Sequence, residues 1–344
     1  MARLWFYGSR VQNKFKCAGV TIVHMKTLLD IIKTNINQSP LAAYTDYPFR
    51  KIIRKYGCRG LLFTEMISGR GYQMNPDFHN RFIKFEDIDR PVGVQLFGSD
   101  PEALALTAKD IENKFKPDLI DINMGCPARK VTGKSGGAAL LKHPNLAEKI
   151  IVSILKKMKT PLSIKTRIGW SINDCKSKDL IKIAEENGLL CVFLHLRSKK
   201  ALFSGALELE NFKTLKSFFK IPIIANGGVY SKEDYDRIVH EIRPEGFLIG
   251  RGSTGNPWIF NINKPDYKEP TREERISVML EHFNLMIEEY GETSGILKFR
   301  KFLKPYLKGI PDHVKFLPQL IQFKTRQEII ETIQKHFQAT KLLD

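Results

Sequence analysis

The sequence predicts an α/β protein, a (β/α)₈ barrel followed by a small helical region. Three observations support this fold class. A short apolar strand, a turn and a helical segment alternate eight times between residues 38 and 250; polar or glycine residues follow every strand; and the pattern is helical only beyond residue 257. Eight such units in about 210 residues suit a barrel. A doubly wound sheet of six strands is the competing architecture.

The strands are expected as short apolar runs that turn residues interrupt. They are predicted near residues 38–43, 60–66, 91–97, 118–123, 161–167, 190–195, 221–226 and 245–250. Two of the intervening helices carry capping residues. The segment from Ser177 to Gly188 has a serine to cap one end and a glycine to end it, and the segment from Ser231 to Ile242 begins with serine.

The last part of the chain is predicted to be entirely helical. Apolar residues recur at helical spacing from Thr271 to Tyr290, and Gly291 can end that helix. Further helices are expected near residues 294–308 and 324–338. We place the boundary near residue 265, so that residues 36–265 form the barrel domain and residues 266–344 a helical domain. Residues 1–35, with six Lys/Arg and one acid, form a basic amino-terminal extension.

Composition and charge restrict the class of partner. The net charge of +18 favours a polyanion, and we prefer nucleic acid to a membrane surface. The sequence has no apolar run near the roughly 18 residues of a membrane span. Its five cysteines are widely spaced, with no Cys-x-x-Cys pair. We therefore expect a monomeric cytoplasmic protein with neither a membrane partner nor a metal.

The stretch from Asp121 to Val131 is chemically the most informative. A short apolar run beginning at Leu119 has the composition of a buried strand, and Gly125 and Pro127 then hold Cys126 on a stiff turn. A lone cysteine is more often a small buried hydrophobe than a catalyst. A thiol at the end of a barrel strand, where such folds gather catalytic groups, favours a functional role.

Several other strand ends carry candidate binding groups. Loops after strands seven and eight commonly bind phosphate through backbone N–H groups, and here they contain Asn226-Gly227-Gly228 and Gly250-Arg251. Either glycine segment could simply turn the chain, but their joint occurrence favours phosphate binding. Strands five and six end in Lys165 and Arg167, and in His195 and Arg197. Such a lysine can also extend to the surface, and a lone histidine is often a core residue.

Two basic segments have competing interpretations. Lys298, Lys301, Lys304 and Lys308 lie within eleven residues that contain no acid, and apolar residues take the remaining helical positions. A basic helical face is usually only solvated, but the overall charge favours contact with RNA phosphates. Ala128–Ser135 satisfies a relaxed phosphate-loop pattern, with a high risk of a false match.

Six segments, in order, resemble the tRNA-dihydrouridine synthases. They are Pro40-Leu41-Ala42-Ala43-Tyr44-Thr45-Asp46, Asn123-Met124-Gly125-Cys126-Pro127, Lys165-Thr166-Arg167-Ile168-Gly169-Trp170, His195-Leu196-Arg197, and the two glycine segments. Gln95, in its strand, is a single matching residue beside them. The resemblance covers residues 36 to 340 and is closest to the bacterial type B subgroup, on the evidence of Gly250 to Trp258. Leu41, Ala43, Leu196 and Gly228 depart from the family pattern.

The resemblance implies an FMN-dependent oxidoreductase that uses NADPH, or NADH, to reduce the C5–C6 double bond of uridine in the D-loop region of tRNA. Cys126 would protonate C5 while reduced FMN delivers hydride to C6. The implied flavin contacts are Pro40, Leu41, Ala42, Gln95, Lys165, His195, Asn226, Gly227, Gly228, Gly250 and Arg251. The implied or expected tRNA contacts are Asn123, Arg129, Lys130, Lys134, Arg167, Arg197, Lys298, Lys301, Lys304 and Lys308.

Two alternatives stay open at this point. One is an FMN-dependent barrel oxidoreductase acting on a free pyrimidine or another small molecule, which would need no excess positive charge. The other is a non-catalytic RNA-binding protein on the same scaffold, which would not need Cys126. The sequence leaves open which uridines are reduced and which nicotinamide is preferred.

Overall fold

The computed structural model describes residues 22–310 and 313–341. Nine short strands lie in one parallel sheet. They are β1 (Ile36–Gln38), β2 (Leu62–Phe63), β3 (Ile67–Ser68), β4 (Val92–Phe97), β5 (Leu119–Met124), β6 (Leu162–Arg167), β7 (Cys191–His195), β8 (Ile223–Asn226) and β9 (Phe247–Ile249). Their order is β1-β9-β8-β7-β6-β5-β4-β2, with β3 also paired to β4. Nine strands thus occupy the eight positions of a barrel.

The sheet closes between its two ends. β1 pairs with β9 from Ile36 opposite Phe247 to Gln38 opposite Ile249. On its other side, the backbone N–H of Gln38 donates to the carbonyl of Leu61 at 2.9 Å. The (β/α)₈ barrel is therefore confirmed, and the doubly wound alternative is wrong.

Six of the eight predicted strands lie within two residues of their expected bounds. The first was wrong: β1 ends at Gln38, because the chain then turns and the N–H groups of Tyr44 and Thr45 both donate to the carbonyl of Leu41. The second is split into β2 and β3. Between them, Glu65 turns its carboxylate to the backbone N–H of Ala43.

Ten helices alternate with the strands or precede them. They are α1 (Ile22–Thr34), α2 (Tyr47–Lys55), α3 (Gly69–Met74), α4 (Pro76–Asn80), α5 (Pro101–Phe115), α6 (Arg129–Thr132), α7 (Pro144–Lys157), α8 (Ser177–Glu186), α9 (Leu209–Phe218) and α10 (Lys232–Ile242). Ser231 caps α10 as predicted, accepting from the N–H of Asp234. Ser177 does not cap α8: it is the first helical residue, and its hydroxyl donates to the carbonyl of Ile168.

The amino-terminal half of the barrel interior is apolar. Alternate residues of each strand point inward, and Leu119, Phe193 and Ile224 form one buried cluster there. Leu28 and Ile32 of α1 join this cluster, so α1 closes the amino end of the barrel. Residues 22–34 of the expected extension therefore contain a helix that packs on the barrel, and residues 1–21 lie outside the described residues.

Four helices follow the barrel: α11 (Arg272–Tyr290), α12 (Glu292–Leu307), α13 (His313–Gln322) and α14 (Arg326–Lys341). Thr271 and Glu274 form a capping box at the start of α11, and Gly291 ends it in a left-handed conformation. The sequence analysis did not foresee α13. Phe302 of α12 stacks on Phe49 of α2, with ring centroids 5.6 Å apart. These helices thus lie against the side of the barrel that carries the loop after β1.

Candidate active site

The carboxyl half of the barrel interior is polar, in contrast to the amino half. The register pairs Gln95 with Asp121 and Asp121 with Ser163, and it pairs Asn123 with Lys165 in the next layer. His195 and Asn226 are opposite one another above them. The fold therefore gathers the strand-end residues predicted from the sequence into one buried cluster.

A chain of hydrogen bonds runs from Asp121 to the turn of Cys126. Asp121 accepts from the Ser163 hydroxyl at 2.6 Å and from the amide of Gln95 at 2.7 Å. The Gln95 oxygen accepts from the amide of Asn123 at 2.8 Å, and the Asn123 oxygen accepts from the backbone N–H of Cys126 at 2.8 Å. An ionised carboxylate only accepts hydrogen bonds, so Asp121 fixes the orientation of both amides.

Asp121 was missed by sequence reasoning, which included it in an apolar run. Burial raises its pKa to about 6, against the hydrogen bonds from Ser163 and Gln95 and the charge of Lys165, which lower it. It is therefore largely ionised at neutral pH. A signal was present: an acid occupies an inward-facing strand position two residues before Asn123.

The turn of Cys126 is held from three sides, while its side chain stays partly exposed at the barrel mouth. Asn123 holds its N–H, and its carbonyl accepts from the N–H of Ala138 at 3.0 Å. From β6, Nε of Arg167 donates to the carbonyl of Gly125 at 2.9 Å. A fixed thiol that remains accessible from outside is suited to exchange a proton with a bound substrate.

Lys165 extends across the barrel interior from β6 to β8. Its ammonium donates to Oδ1 of Asn226 at 2.8 Å. Burial and then the charge of Arg167 lower its pKa to about 8, whereas Asp121 and Cys126 act in the opposite direction. The site therefore contains a buried cation that is close to titrating at physiological pH.

Arg167 and Arg197, both predicted to contact tRNA, are mostly buried. Arg167 donates to the carbonyls of Ser198 and Leu202 at 3.0 and 2.7 Å, and burial lowers its pKa to about 10. Arg197 donates from Nε to the carbonyl of Gly205. Its Nη1 is buried and has no hydrogen-bond partner among the described residues. Such a group is costly to leave unpaired, so a ligand oxygen would satisfy it.

His195 is a neutral donor that faces the loop after β8. Burial, with the charges of Arg167, Lys165, Arg197 and Arg251, lowers its pKa well below the usual value. The backbone N–H of Arg197 donates to Nδ1 at 3.1 Å, so Nε2 carries the proton. A side chain at Gly227 would lie 3.2 Å from Nε2.

The two glycines after β8 leave backbone uncovered. Gly227 and Gly228 have φ of +115° and +84°, a region that side chains rarely adopt. A Cβ at Gly228 would lie 2.6 Å from Leu207. Gly250 lies near Leu41, since a Cβ there would be 3.5 Å from the Leu41 side chain. The loop after β1, with Pro40, Leu41 and Ala42, thus adjoins the last strand loop.

The remaining predicted contacts lie at the rim. Arg251 is exposed, its guanidinium 5.0 Å from the ring of Phe203. Exposed positions beside Cys126 are taken by Arg129, Lys130 and Lys134. The supposed phosphate loop, Ala128–Ser135, itself contains the one-turn helix α6 and is followed by a short 3₁₀ segment, Gly137–Lys142, rather than by the long helix such a motif needs. Lys298 and Lys304 are exposed on α12 and Lys308 is exposed directly after it, whereas Lys301 is partly buried and donates to the carbonyl of Ala43.

These groups fit a phosphorylated flavin. Uncovered backbone after β8 and β9 can bind a phosphate, and the ammonium of Lys165 can face an electron-rich ring. The amide of Gln95 retains one N–H beyond its bond to Asp121. The unpaired guanidinium N–H of Arg197 is a further donor to an anion or a carbonyl.

A barrel with these groups at its carboxyl end defines a flavin-dependent oxidoreductase, and the sequence comparisons specify which one. The model of the family "Dihydrouridine synthase (Dus)" matches residues 37–341. The chain is 34% identical over 291 residues to tRNA-dihydrouridine synthase B of Pasteurella multocida (strain Pm70), covering 83% of this chain and 87% of that protein. It is 32% identical to a probable tRNA-dihydrouridine synthase of Rickettsia bellii (strain RML369-C), covering 83% and 89%. The chain belongs to the dihydrouridine synthase family.

Solved structures show the same barrel at low identity. Histamine dehydrogenase from Rhizobium sp. 4-9 superposes with a TM-score of 0.50 at 13% identity, covering 80% of this chain and 51% of that one. The crystal structure of TcOYE with pHBA superposes with a TM-score of 0.52 at 11% identity, covering 73% of this chain and 94% of that one. At these identities the likeness shows the fold alone.

Family membership establishes the activity. The chain is a flavin-dependent oxidoreductase acting on CH–CH bonds, and it converts uridine in tRNA to dihydrouridine with FMN as cofactor and NAD(P)H as reductant. This supports the function implied by the six motifs over both alternatives. Within residues 22–310 and 313–341, no helix is long and apolar enough to span a membrane. The same residues contain no group of three or more His, Cys, Asp or Glu that could hold a metal.

Proposed function

We propose that Cys126 is the acid that protonates C5 of the tRNA uridine, and that the polar carboxyl half of the barrel holds FMN beside it. The observation that carries this proposal is the hydrogen-bonded chain from Asp121 through Gln95 and Asn123 to the backbone N–H of Cys126. This chain connects the turn that carries the partly exposed thiol to the layer containing Lys165. A thiol at this place can meet a base that enters from the barrel mouth.

FMN held in this half of the barrel would supply the hydride for C6, with NAD(P)H as the reductant. The protein's own part is to bind, orient and protonate. The thiol gives its proton to C5 and regains one from solvent, which its partial exposure allows. The ammonium of Lys165 favours the electron-rich form of the ring. The backbone of Gly227, Gly228 and Gly250 holds the phosphate, and Nε2 of His195 donates towards it.

Recognition of tRNA is assigned to exposed cations. A uridine must leave its base stack to reach the barrel interior. Arg129, Lys130 and Lys134 lie beside Cys126. Lys298 and Lys304 lie exposed on α12, and Lys308 lies exposed directly after it. The helical region of residues 266–344 then binds the body of the tRNA. Since one chain supplies every group named here, a monomer suffices. We place it in the cytoplasm because its relatives modify tRNA.

The cofactor and substrate are tested on the purified protein. Flavin is released and identified, and the protein is then incubated with NADPH and an unmodified tRNA transcript, in which dihydrouridine is mapped. We expect FMN and reduction at defined uridines. Release of FAD, or no binding of added FMN, would contradict the flavin assignment. Reduction of free uridine at the same rate as tRNA would favour a small-molecule enzyme.

The tRNA assignment is tested by the dependence of binding on salt. Replacing Lys298, Lys304 and Lys308 with alanine should flatten the slope of log affinity against log salt by up to about 0.7 to 0.9 per lost contact. The matched control removes three exposed lysines from α7 and α8, namely Lys149, Lys156 and Lys182. Equal slopes in the two triple variants would assign the effect to total charge, not to α12.

A further inference from the structure

Ala43 has a backbone conformation that side chains usually avoid. Its φ of +66° lies in the left-handed region, although it is not a glycine. For such a residue to stay there, its surroundings must hold it. The loop concerned follows β1 and contains Pro40, Leu41 and Ala42, which the family resemblance implies as flavin contacts. The Leu41 side chain lies beside Gly250, where the proposed phosphate site is.

Two charged side chains hold the backbone of Ala43. The N–H of Ala43 donates to the carboxylate of Glu65, which lies between β2 and β3. Its carbonyl accepts from the ammonium of Lys301 on α12, 258 residues along the chain. One residue is thus clamped between an acid of the barrel and a base of the helical region. Hydrogen bonds to charged groups are stronger than neutral ones.

Lys301 differs in its surroundings from Lys298, Lys304 and Lys308, the other three lysines of the basic run. It is partly buried, and its Nζ lies 5.2 Å from the ring centroid of Tyr44 and 5.0 Å from that of Phe302. Burial lowers its pKa, while the nearby carboxylates of Asp46 and Glu65 raise it. An ammonium already compensated by two acids and a carbonyl has little left to offer a phosphate.

We propose that Lys301 is a positioning residue for the flavin site and not a tRNA contact. By holding the carbonyl of Ala43, it keeps the loop of Pro40, Leu41 and Ala42 in the shape that receives FMN. The helical region is thereby coupled to the cofactor. This inference rests on the proposed role of that loop in flavin binding.

The test measures FMN affinity by the change in flavin fluorescence, with Lys301→Met compared with its matched control Lys304→Met. We expect Lys301→Met to weaken FMN binding roughly tenfold, the effect of losing one charged hydrogen bond. Lys304→Met should retain the affinity of the wild type. The slope of log tRNA affinity against log salt should show the opposite pattern. It should flatten for Lys304→Met and stay unchanged for Lys301→Met.

A second variant tests the clamp itself. Ala43→Gly combined with Lys301→Met should recover most of the lost affinity, because glycine adopts a positive φ without strain. If Lys301→Met alone fails to fold, the double variant still decides: wild-type affinity supports the clamp, and a persistent loss in the folded double variant overturns it. Equal FMN affinity in Lys301→Met and Lys304→Met would also overturn it. Failure of the wild type to bind FMN would instead refute the proposed site.

Discussion

The two halves of the barrel interior share the same strands but have opposite chemistry. On β5 the inward residues pass from Leu119 to Asp121 to Asn123, and on β8 from Ile224 to Asn226. Two residues of chain are enough to move from a dry core to a hydrogen-bonded site. The amino half, closed by α1, stabilises the fold. The carboxyl half contains polar and charged side chains that are suited to bind a ligand.

This division has an energetic basis. Burying an apolar side chain stabilises a protein, whereas a buried polar group costs free energy unless it is hydrogen-bonded. Asp121 meets this condition through Ser163 and Gln95, but Arg197 does not meet it fully among the described residues. Substitutions in the two halves should therefore affect different observables.

The largest effect is expected at the barrel mouth. Cys126→Ala should lower the rate of dihydrouridine formation by about 10² to 10⁴, the usual contribution of a positioned acid. FMN content and the midpoint of thermal unfolding should stay unchanged, because the thiol is partly exposed. Single-turnover kinetics with NADPH and tRNA measure the rate. Cys175→Ala, which alters another partly exposed thiol, is the control; an equal rate in both variants would move the acid elsewhere.

The next effect is expected in the apolar half. Leu119→Ala, two residues below Asp121 on the same face of β5, should cost about 2 to 5 kcal/mol of the free energy of unfolding, since it leaves a cavity in a closed core. Urea unfolding measures this cost. The turnover of the folded fraction should stay close to that of the wild type. If Leu119→Ala lowered turnover without lowering stability, the amino half would not have the purely structural role assigned to it.

The smallest effect concerns the charge of Lys165. Its pKa of about 8 lies below the ordinary value because of burial. As pH rises through about 8 the ammonium becomes neutral, so FMN affinity should fall, by roughly tenfold for one charged hydrogen bond. Titrations of FMN between pH 7 and about 9.5 would show this fall. In Lys165→Met, FMN affinity should be weak and independent of pH over the same range. If the variant showed the same pH profile as the wild type, Lys165 would not be the group whose titration weakens FMN binding.

Most of the site could be predicted from the sequence, because residues that directly follow the strands of a barrel come together at its carboxyl end. Cys126, Lys165, His195 and Asn226 could be placed together on that rule alone. Asp121 was missed because a single acid within an apolar run was taken as part of the run. Its inward parity becomes meaningful only once the neighbouring strands are in register.

The role of Lys301 could not be predicted from the sequence. Helical spacing puts it in the same basic run as Lys298, Lys304 and Lys308, and periodicity treats all four alike. What distinguishes Lys301 is a contact with Ala43 across 258 residues, which depends on how α12 lies against the barrel. The end of β1 and the division between β2 and β3 were likewise decided by loop contacts that no local pattern shows.

The buried side chains of Asp121 and Lys165 together carry no net charge over a limited range of pH. With pKa values of about 6 and about 8, the two side chains carry opposite charges between these limits and cancel one another. In more acidic solution the carboxyl is protonated and the pair becomes positive; in more alkaline solution the lysine loses its proton and the pair becomes negative. These two side chains therefore attract an anionic guest less strongly in alkaline solution than in acid.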